Sequence, residues 1–386
     1  MFIIEKPYVS EYLIDTVINH DWIVLENSTL EESGIEDDAF RLWTSEKAAN
    51  NYLMQEYPLI YSNSEYAVSW VLQNLPKSNT TLYIKTFKDK ILFRETLKEM
   101  YPDFYFRSFE YLDINYVKAD EFAYPLVIKP SIGSLSFGVH KVEKESDWST
   151  EVKMLHKEIA SNKGTFNSDI VNTKMILLEE VIKGDEYSID AYYDRNGVPV
   201  ILNIFQHVLK DDKDISDRLY ITSAPIMVRY MSKFTMFLRQ LGELLNIRNF
   251  PLQVEVSVTA SGDIIPIEVN PLHFSNWCAA DIAKYVWGFN VYECFNLQKH
   301  PDWNQIIANA GKQTYYYSLI DIPKDFPRST IRNFNYNGYL SNFLNVIELR
   351  RVSFQSNPIL GVVFGSMTSE SELQTILHLD VTKYIN

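Results

Sequence analysis

The sequence predicts a mixed α/β and α+β protein in three segments, residues 1–88, 89–182 and 183–386. Three observations lead there. Residues 1–88 alternate short apolar runs with helical patterns, as a small parallel sheet requires. The stretch VIKPSIGSLSFGVHKV, residues 127–142, sets a glycine-bearing loop between two apolar runs. Two alternating runs, LQVEVSV (252–258) and DIIPIEVN (263–270), are joined by Thr259-Ala260-Ser261-Gly262 and read as paired strands.

In the first segment, Phe2 to Glu5 reads as a strand, Ser10 as the cap of a helix over 11–19, and Trp22 to Leu25 as a second strand. LIY at 59–61 and TLYIK at 81–85 read as further strands. No G-x-G-x-x-G follows a strand here, which argues against a dinucleotide. In the second segment, Ile91, Leu92, Leu97 and Met100 line one face of a helix over Lys90–Met100. Pro125 to Ile128 and Gly138 to Val142 then read as two strands around a flexible loop. Gly133 and Gly138 have the spacing of the glycines in G-x-x-x-x-G-K-[ST], but Val139 and His140 follow, so that phosphate-loop motif fails. A helix near 147–161 and a strand over Met175–Leu178, ending in Glu179-Glu180, complete the segment.

The third segment opens with EYSIDAYYD (186–194), turns at Arg195-Asn196-Gly197 and returns as VPVILNIF. LKDDKDISDR (209–218) reads as an exposed loop, and 228–245 as a helix. Later strand-like runs, including ILGVVFGSM (359–367), read as a closing lobe.

Composition bounds the function. With 386 residues, 46% hydrophobic and 22% charged, the chain is globular and can bury a large core. A net charge of −14 repels polyanions, which argues against nucleic acid or an anionic membrane as partner. Cys278 and Cys294 cannot form a disulfide framework, and two buried free thiols are expected. The start MFIIEKPYVSEYLID, interrupted by Glu5 and Lys6, does not read as a secretory signal, and no run of apolar residues is long enough to span a bilayer. A cytoplasmic location is expected.

Three constellations carry chemistry. Lys129 sits among apolar residues and needs a partner. It is either an ion pair on an edge strand or a cation aimed at phosphate, with Ser134, Ser136 and the N–H groups from Gly133 to Gly138 as neutral donors. Glu255 and Glu268 fall side by side if their strands pair, and Asn270 shares a face with Glu268. They are either surface acids or hard oxygen ligands for Mg²⁺, which takes one or two carboxylates together with substrate phosphates. The stretch EEVIKGDE (179–186) is either a solvated link or a set of acceptors for an adenine amino group and ribose hydroxyls.

Taken together, VIKPSIGSLSFGV, LLEEVIKGDEYSID and VEV followed by EVN resemble the ATP-grasp superfamily, from about Lys90 to Asn270. This is the family of D-alanine–D-alanine ligase, biotin carboxylase and carbamoyl-phosphate synthetase. The resemblance implies an N-terminal Rossmann-like α/β domain followed by two lobes that sandwich ATP. It implies that Lys129 and Lys90 reach phosphates, with Lys85 and Lys88 as rivals of Lys90. It further implies that Gly133 to Gly138 close over them, and that Glu179 approaches adenine. Backbone groups of Glu180 and Ile182 complete that contact, and Glu186 binds ribose. Glu255, Glu268 and Asn270 hold two Mg²⁺ ions, with Mn²⁺ as an alternative. The implied reaction joins a small carboxylic acid to an amine through an acylphosphate, releasing ADP and phosphate, with a homodimer as a candidate assembly. A carboxylase or kinase of the same fold, or a non-catalytic nucleotide-binding module, is the alternative. One departure stands out. Many members read Asn-Pro-Arg where this chain reads Asn270-Pro271-Leu272-His273, so the missing cation is expected from His273, His207, Arg218 or Arg229.

Overall fold

The computed structural model describes residues 1–33, 39–133, 137–161, 172–210, 216, 218–323, 326–355 and 357–386. Its first elements are β1 (Phe2–Ile3), α1 (Glu11–Asn19), β2 (Ile23–Leu25), α2 (Ser28–Ser33), β3 (Arg41–Trp43), α3 (Ser45–Tyr52) and β4 (Tyr61–Ser62). The four strands form an all-parallel sheet in the order β3-β2-β1-β4. Ser10 caps α1 as expected, its Oγ accepting from Leu13 N at 3.1 Å.

Three helices follow: α4 (Val68–Asn74), α5 (Asn79–Lys88) and α6 (Lys90–Thr96). TLYIK, expected as a strand, lies inside α5. Ser78 caps this helix at Thr81 N, 3.3 Å away, and Thr80, Tyr83, Ile84 and Phe87 bury a face with helical spacing. A short apolar run fits either period, and here the cap decides. Asp89 separates α5 from α6 and caps α6, accepting from Ile91 N and Leu92 N at 3.0 and 3.2 Å. The helix ends at Thr96, short of Met100, with Leu97 as its C-cap.

The second sheet contains β5 (Phe106–Glu110), β6 (Leu126–Ile132), β7 (His140–Val142) and β8 (Asn172–Glu180), with α7 (Trp148–Ser161) between β7 and β8. It is antiparallel in the order β5-β8-β6-β7. Leu126, Ile128, Val142, Ile176 and Leu178 bury one face against Trp148, Val152 and Leu155 of α7. The alternate residues Lys129 and Glu179 point to the other face. Because β6 is interior, Lys129 is not on an edge strand.

The third sheet has eight antiparallel strands. They are β9 (Asp185–Tyr193), β10 (Pro199–His207), β11 (Leu219–Thr222), β12 (Phe250–Val258), β13 (Ile264–Pro271), β14 (Thr314–Asp321), β15 (Val346–Arg351) and β16 (Ile359–Met367). Their order is β13-β12-β9-β10-β11-β14-β16-β15. The strands expected as a closing lobe thus prolong this sheet. Helix α8 (Ala224–Leu245) covers one face, where Tyr187, Ile189 and Tyr193 meet Tyr230, Phe234 and Leu238. Gly242 is required there, since a Cβ would stand 2.3 Å from the Tyr193 ring. The opposite face carries Glu186, Ser188, Asp190, Gln253 and Glu255, which register alignment places together. Among the described residues no helix is long and apolar enough to cross a membrane, and both cysteines are free and buried.

Candidate active site

Strands β12 and β13 pair antiparallel with Glu255 directly opposite Glu268 and Gln253 opposite Asn270. Two carboxylates at that separation repel unless cations intervene. Cations are present. Lys90, the first residue of α6, places Nζ 2.9 Å from Glu268 Oε2 and 3.4 Å from the carbonyl of Gly133. Burial would raise the Glu268 carboxyl, but Lys90, with Lys129 and Lys88 behind it, holds it well below the usual range. Reciprocally, burial would lower the Lys90 ammonium, and Glu268, Glu65 and Glu179 push it above its ordinary value. Lys90 is therefore the phosphate lysine candidate that meets the acid face; its rival Lys85 is exposed.

Gln253 fixes the amide and carboxylate neighbours. Its Nε2 donates to Ser188 Oγ at 2.7 Å and Glu255 Oε1 at 3.2 Å, and its Oε1 accepts from Asn270 Nδ2 at 2.8 Å. Asn270 Nδ2 also reaches Glu268 Oε1 at 3.4 Å. With Nδ2 committed, Asn270 Oδ1 remains as a hard acceptor beside two carboxylates. No group of three or more His, Cys, Asp or Glu able to hold a metal gathers among the described residues. The donor set of two carboxylates and an amide oxygen fits Mg²⁺ that completes its shell with water and phosphate, not a self-sufficient protein cage.

On the facing sheet, Lys129 is buried and its Nζ lies 2.5 Å from Glu179 Oε1. Arg94, one turn beyond Lys90 on α6, gives Nε to Glu179 Oε2 at 2.7 Å and Nη1 to Pro266 O at 2.7 Å. Burial alone would raise Glu179, yet Lys129 and Arg94 hold it down at about 2. Burial lowers Lys129, against the pull of Glu179. Both Glu179 oxygens are thus consumed by protein cations, and its place is beneath Lys129 rather than open to adenine. Arg94 ties the second sheet to β13, a role the sequence reading did not assign; the i, i+4 spacing from Lys90 was the available signal.

The remaining candidates divide. Gly138 has φ +69°, and a Cβ would meet the Pro130 ring at 2.8 Å; its N–H donates to Glu158 Oε1 at 3.2 Å. Ser134 and Ser136 lie outside the described residues. Glu180 N donates to Tyr105 O at 3.1 Å. Ile182 is half-buried in the link between β8 and β9. Glu186 is half-buried on the acid face, 3.0 Å from His207 Nδ1. His207 is therefore engaged with Glu186 rather than placed beside Asn270. Arg218 pairs with Asp321 at 3.0 Å, across strands β11 and β14, and Arg229 is exposed on α8 behind the sheet. Neither is brought to the acids.

His273 is fully buried three residues beyond Asn270. Its Nδ1 lies 2.5 Å from the carbonyl of Phe274, so that nitrogen carries the hydrogen, and buried Nε2 has no partner among the described residues. Burial lowers its pKa despite nearby Glu65. A neutral imidazole cannot replace the arginine charge, which corrects the expectation for this residue. Trp277, Cys278 and Asp281 are buried too, Asp281 being 3.0 Å from Arg350 Nη2.

Comparison with known proteins bears on the fold. Residues 122–281 match the model of the ATP-grasp domain. A search of curated proteins gives no match. Among solved structures, an L-amino acid ligase from Bacillus licheniformis is similar with TM-score 0.61 at 14% identity, over 100% of this chain and 97% of that one. N5-carboxyaminoimidazole ribonucleotide synthetase from Thermotoga maritima gives TM-score 0.60 at 14% identity, over 100% and 97%. The biotin carboxylase domain of 2-oxoglutarate carboxylase from Hydrogenobacter thermophilus, in complex with MgADP, ADP and bicarbonate, gives 0.61 at 12% identity, over 95% and 86%. Residues 122–281 thus carry an ATP-grasp domain, and the chain as a whole has the ATP-grasp fold.

Proposed function

We propose that the protein is an Mg²⁺-dependent ligase that uses ATP to join a small carboxylic acid to an amine. The observation that carries this reading is Lys90 and Lys129 standing over a sheet face whose acids are Glu255 and Glu268. Opposed charges of this kind suit a triphosphate on one side and its counter-ion on the other. Lys90 and Lys129 bind phosphate oxygens, and Glu179 and Arg94 keep Lys129 in place. Glu186 accepts from ribose, while Glu255, Glu268 and Asn270 hold the metal. When bound, Mg²⁺ neutralises phosphate charge.

In the first step a carboxylate oxygen of the acid bonds to the γ-phosphorus and the bond to the β-phosphate oxygen breaks, releasing ADP. In the second the amine attacks the acyl carbon, the acyl–oxygen bond breaks, and the amine proton leaves on phosphate. No nucleophilic side chain is needed, and the similarity to an L-amino acid ligase and a MgADP-bound carboxylase supports these chemical classes. The test is ADP release from ATP against panels of carboxylates and amines. Release that needs both an acid and an amine supports the ligase; release with bicarbonate and no amine replaces it with carboxylation.

A further inference from the structure

The arginine that many ATP-grasp proteins carry after Asn-Pro is here Leu272, a fully buried apolar residue with φ +70°. The N-terminal sheet closes over it. Ser62, the last residue of β4, donates its backbone N–H to Leu272 O at 2.8 Å. Three residues on, Glu65 pairs with Lys88 at 2.8 Å, both nearly excluded from water. Loops beyond the carboxyl ends of parallel strands are where such sheets place ligands. Lys88 ends α5 and Lys90 begins α6, with Asp89 between them capping the second helix. One ammonium meets Glu65 from β4's loop and the other meets Glu268 from the metal strand.

We propose that Lys88, oriented by Glu65, replaces the missing arginine as the cation that stabilises charge at the reacting end of the site. The inference rests on the phosphoryl-transfer chemistry proposed above. Placement and chemistry agree. Lys88 closes α5 two residues before Lys90, whose ammonium lies 2.9 Å from Glu268, and its partner Glu65 follows Ser62, which bonds Leu272 beyond the metal strand's Asn270. Position 272 itself offers only a hydrocarbon, and His273 is neutral. Arg218 and Arg229 are engaged or exposed elsewhere. Lys88 is a positioning and electrostatic residue in this scheme, and Glu65 sets its direction.

The experiment uses the full chain and measures ADP affinity with Mg²⁺, with and without aluminium fluoride as mimic of the transferring phosphoryl group. The double variant Glu65→Met with Lys88→Met removes both charges and leaves no buried ion alone. Wild type is expected to bind ADP about 100-fold tighter with fluoride, and the double variant to keep its ADP affinity while losing that gain. A double variant that keeps the full gain overturns the proposal. Glu65→Gln removes the carboxylate that directs Lys88 and is expected to lose most of the gain while keeping ADP affinity, and a Glu65→Gln protein that keeps the full gain overturns the proposal even if the double variant does not fold. A wild type that binds ADP with no fluoride effect overturns both this inference and the phosphoryl-transfer reading. A wild-type gain without ligation of any acid–amine pair removes the ligase alone and leaves the Lys88 result standing.

Discussion

Two lysine–glutamate pairs face each other across this molecule, and they differ in what they leave available. In Lys129–Glu179 both side chains are buried, and Arg94 occupies the second carboxylate oxygen. Neither Glu179 oxygen is left for a ligand, while the Lys129 ammonium keeps further donors for phosphate, and removing Glu179 strands cations in the interior. In Lys90–Glu268 the side chains are 12% and 27% exposed, and Glu268 adjoins Glu255 and Asn270 on an accessible sheet face. The same two residue types therefore form a strut in one place and a reactive surface in the other. The third partner decides which: an arginine closes the first pair, while an acid and an amide leave the second open to metal and phosphate.

Substitutions on the two glutamates test that contrast most directly. Glu268→Gln is expected to cut acid- and amine-dependent ADP release about 1,000-fold, and to cost less stability than loss of Glu179, because Lys90 and Glu268 keep more contact with water. Normal turnover by this variant would remove the metal assignment. Glu179→Gln should act mainly on the fold, lowering unfolding free energy by about 3 kcal/mol at pH 7, measured by denaturant titration. Its pH dependence sharpens the point. A carboxyl held at about 2 against an ordinary 4.5 stabilises the fold while ionised. That benefit is present above about pH 4.5 and is lost as pH falls toward 2, so the variant and wild type should converge there. Glu186→Gln should raise KM for ATP about 10-fold with kcat little changed, through loss of one charge-assisted hydrogen bond. Smallest, Gly138→Ala should cost about 1–2 kcal/mol of stability by forcing a side chain into the left-handed region against Pro130. It leaves both pairs intact and serves as the control.

Much of the site was legible because strand period and motif spacing are local. Alternation put Asn270 on the face of Glu268, and the ladder pairs Glu255 with Glu268, the juxtaposition expected if the two strands paired. Lys129 in an apolar strand announced a buried partner. The identity of that partner was not legible, since Glu179 and Arg94 lie 50 and 35 residues away in sequence and only the fold joins them. The same limit hid Lys88–Glu65 and the neutral state of His273, both set by burial. TLYIK misled because five residues fit two periods, and the Ser78 cap that decides between them lies outside the run. The eight-stranded sheet escaped notice because β14 pairs with β11 across helix α8, the β12–β13 hairpin and three shorter helices.

That last pairing has a consequence during synthesis. β11 shares only two ladder positions with β10 but four with β14. Until residues 314–321 leave the ribosome, β11 offers bare amide and carbonyl groups along one side. A nascent chain paused before that point presents a sticky template to neighbouring polypeptides. Fast translation through β14, or a chaperone that shields β11 meanwhile, should therefore govern how much protein is recovered in usable form.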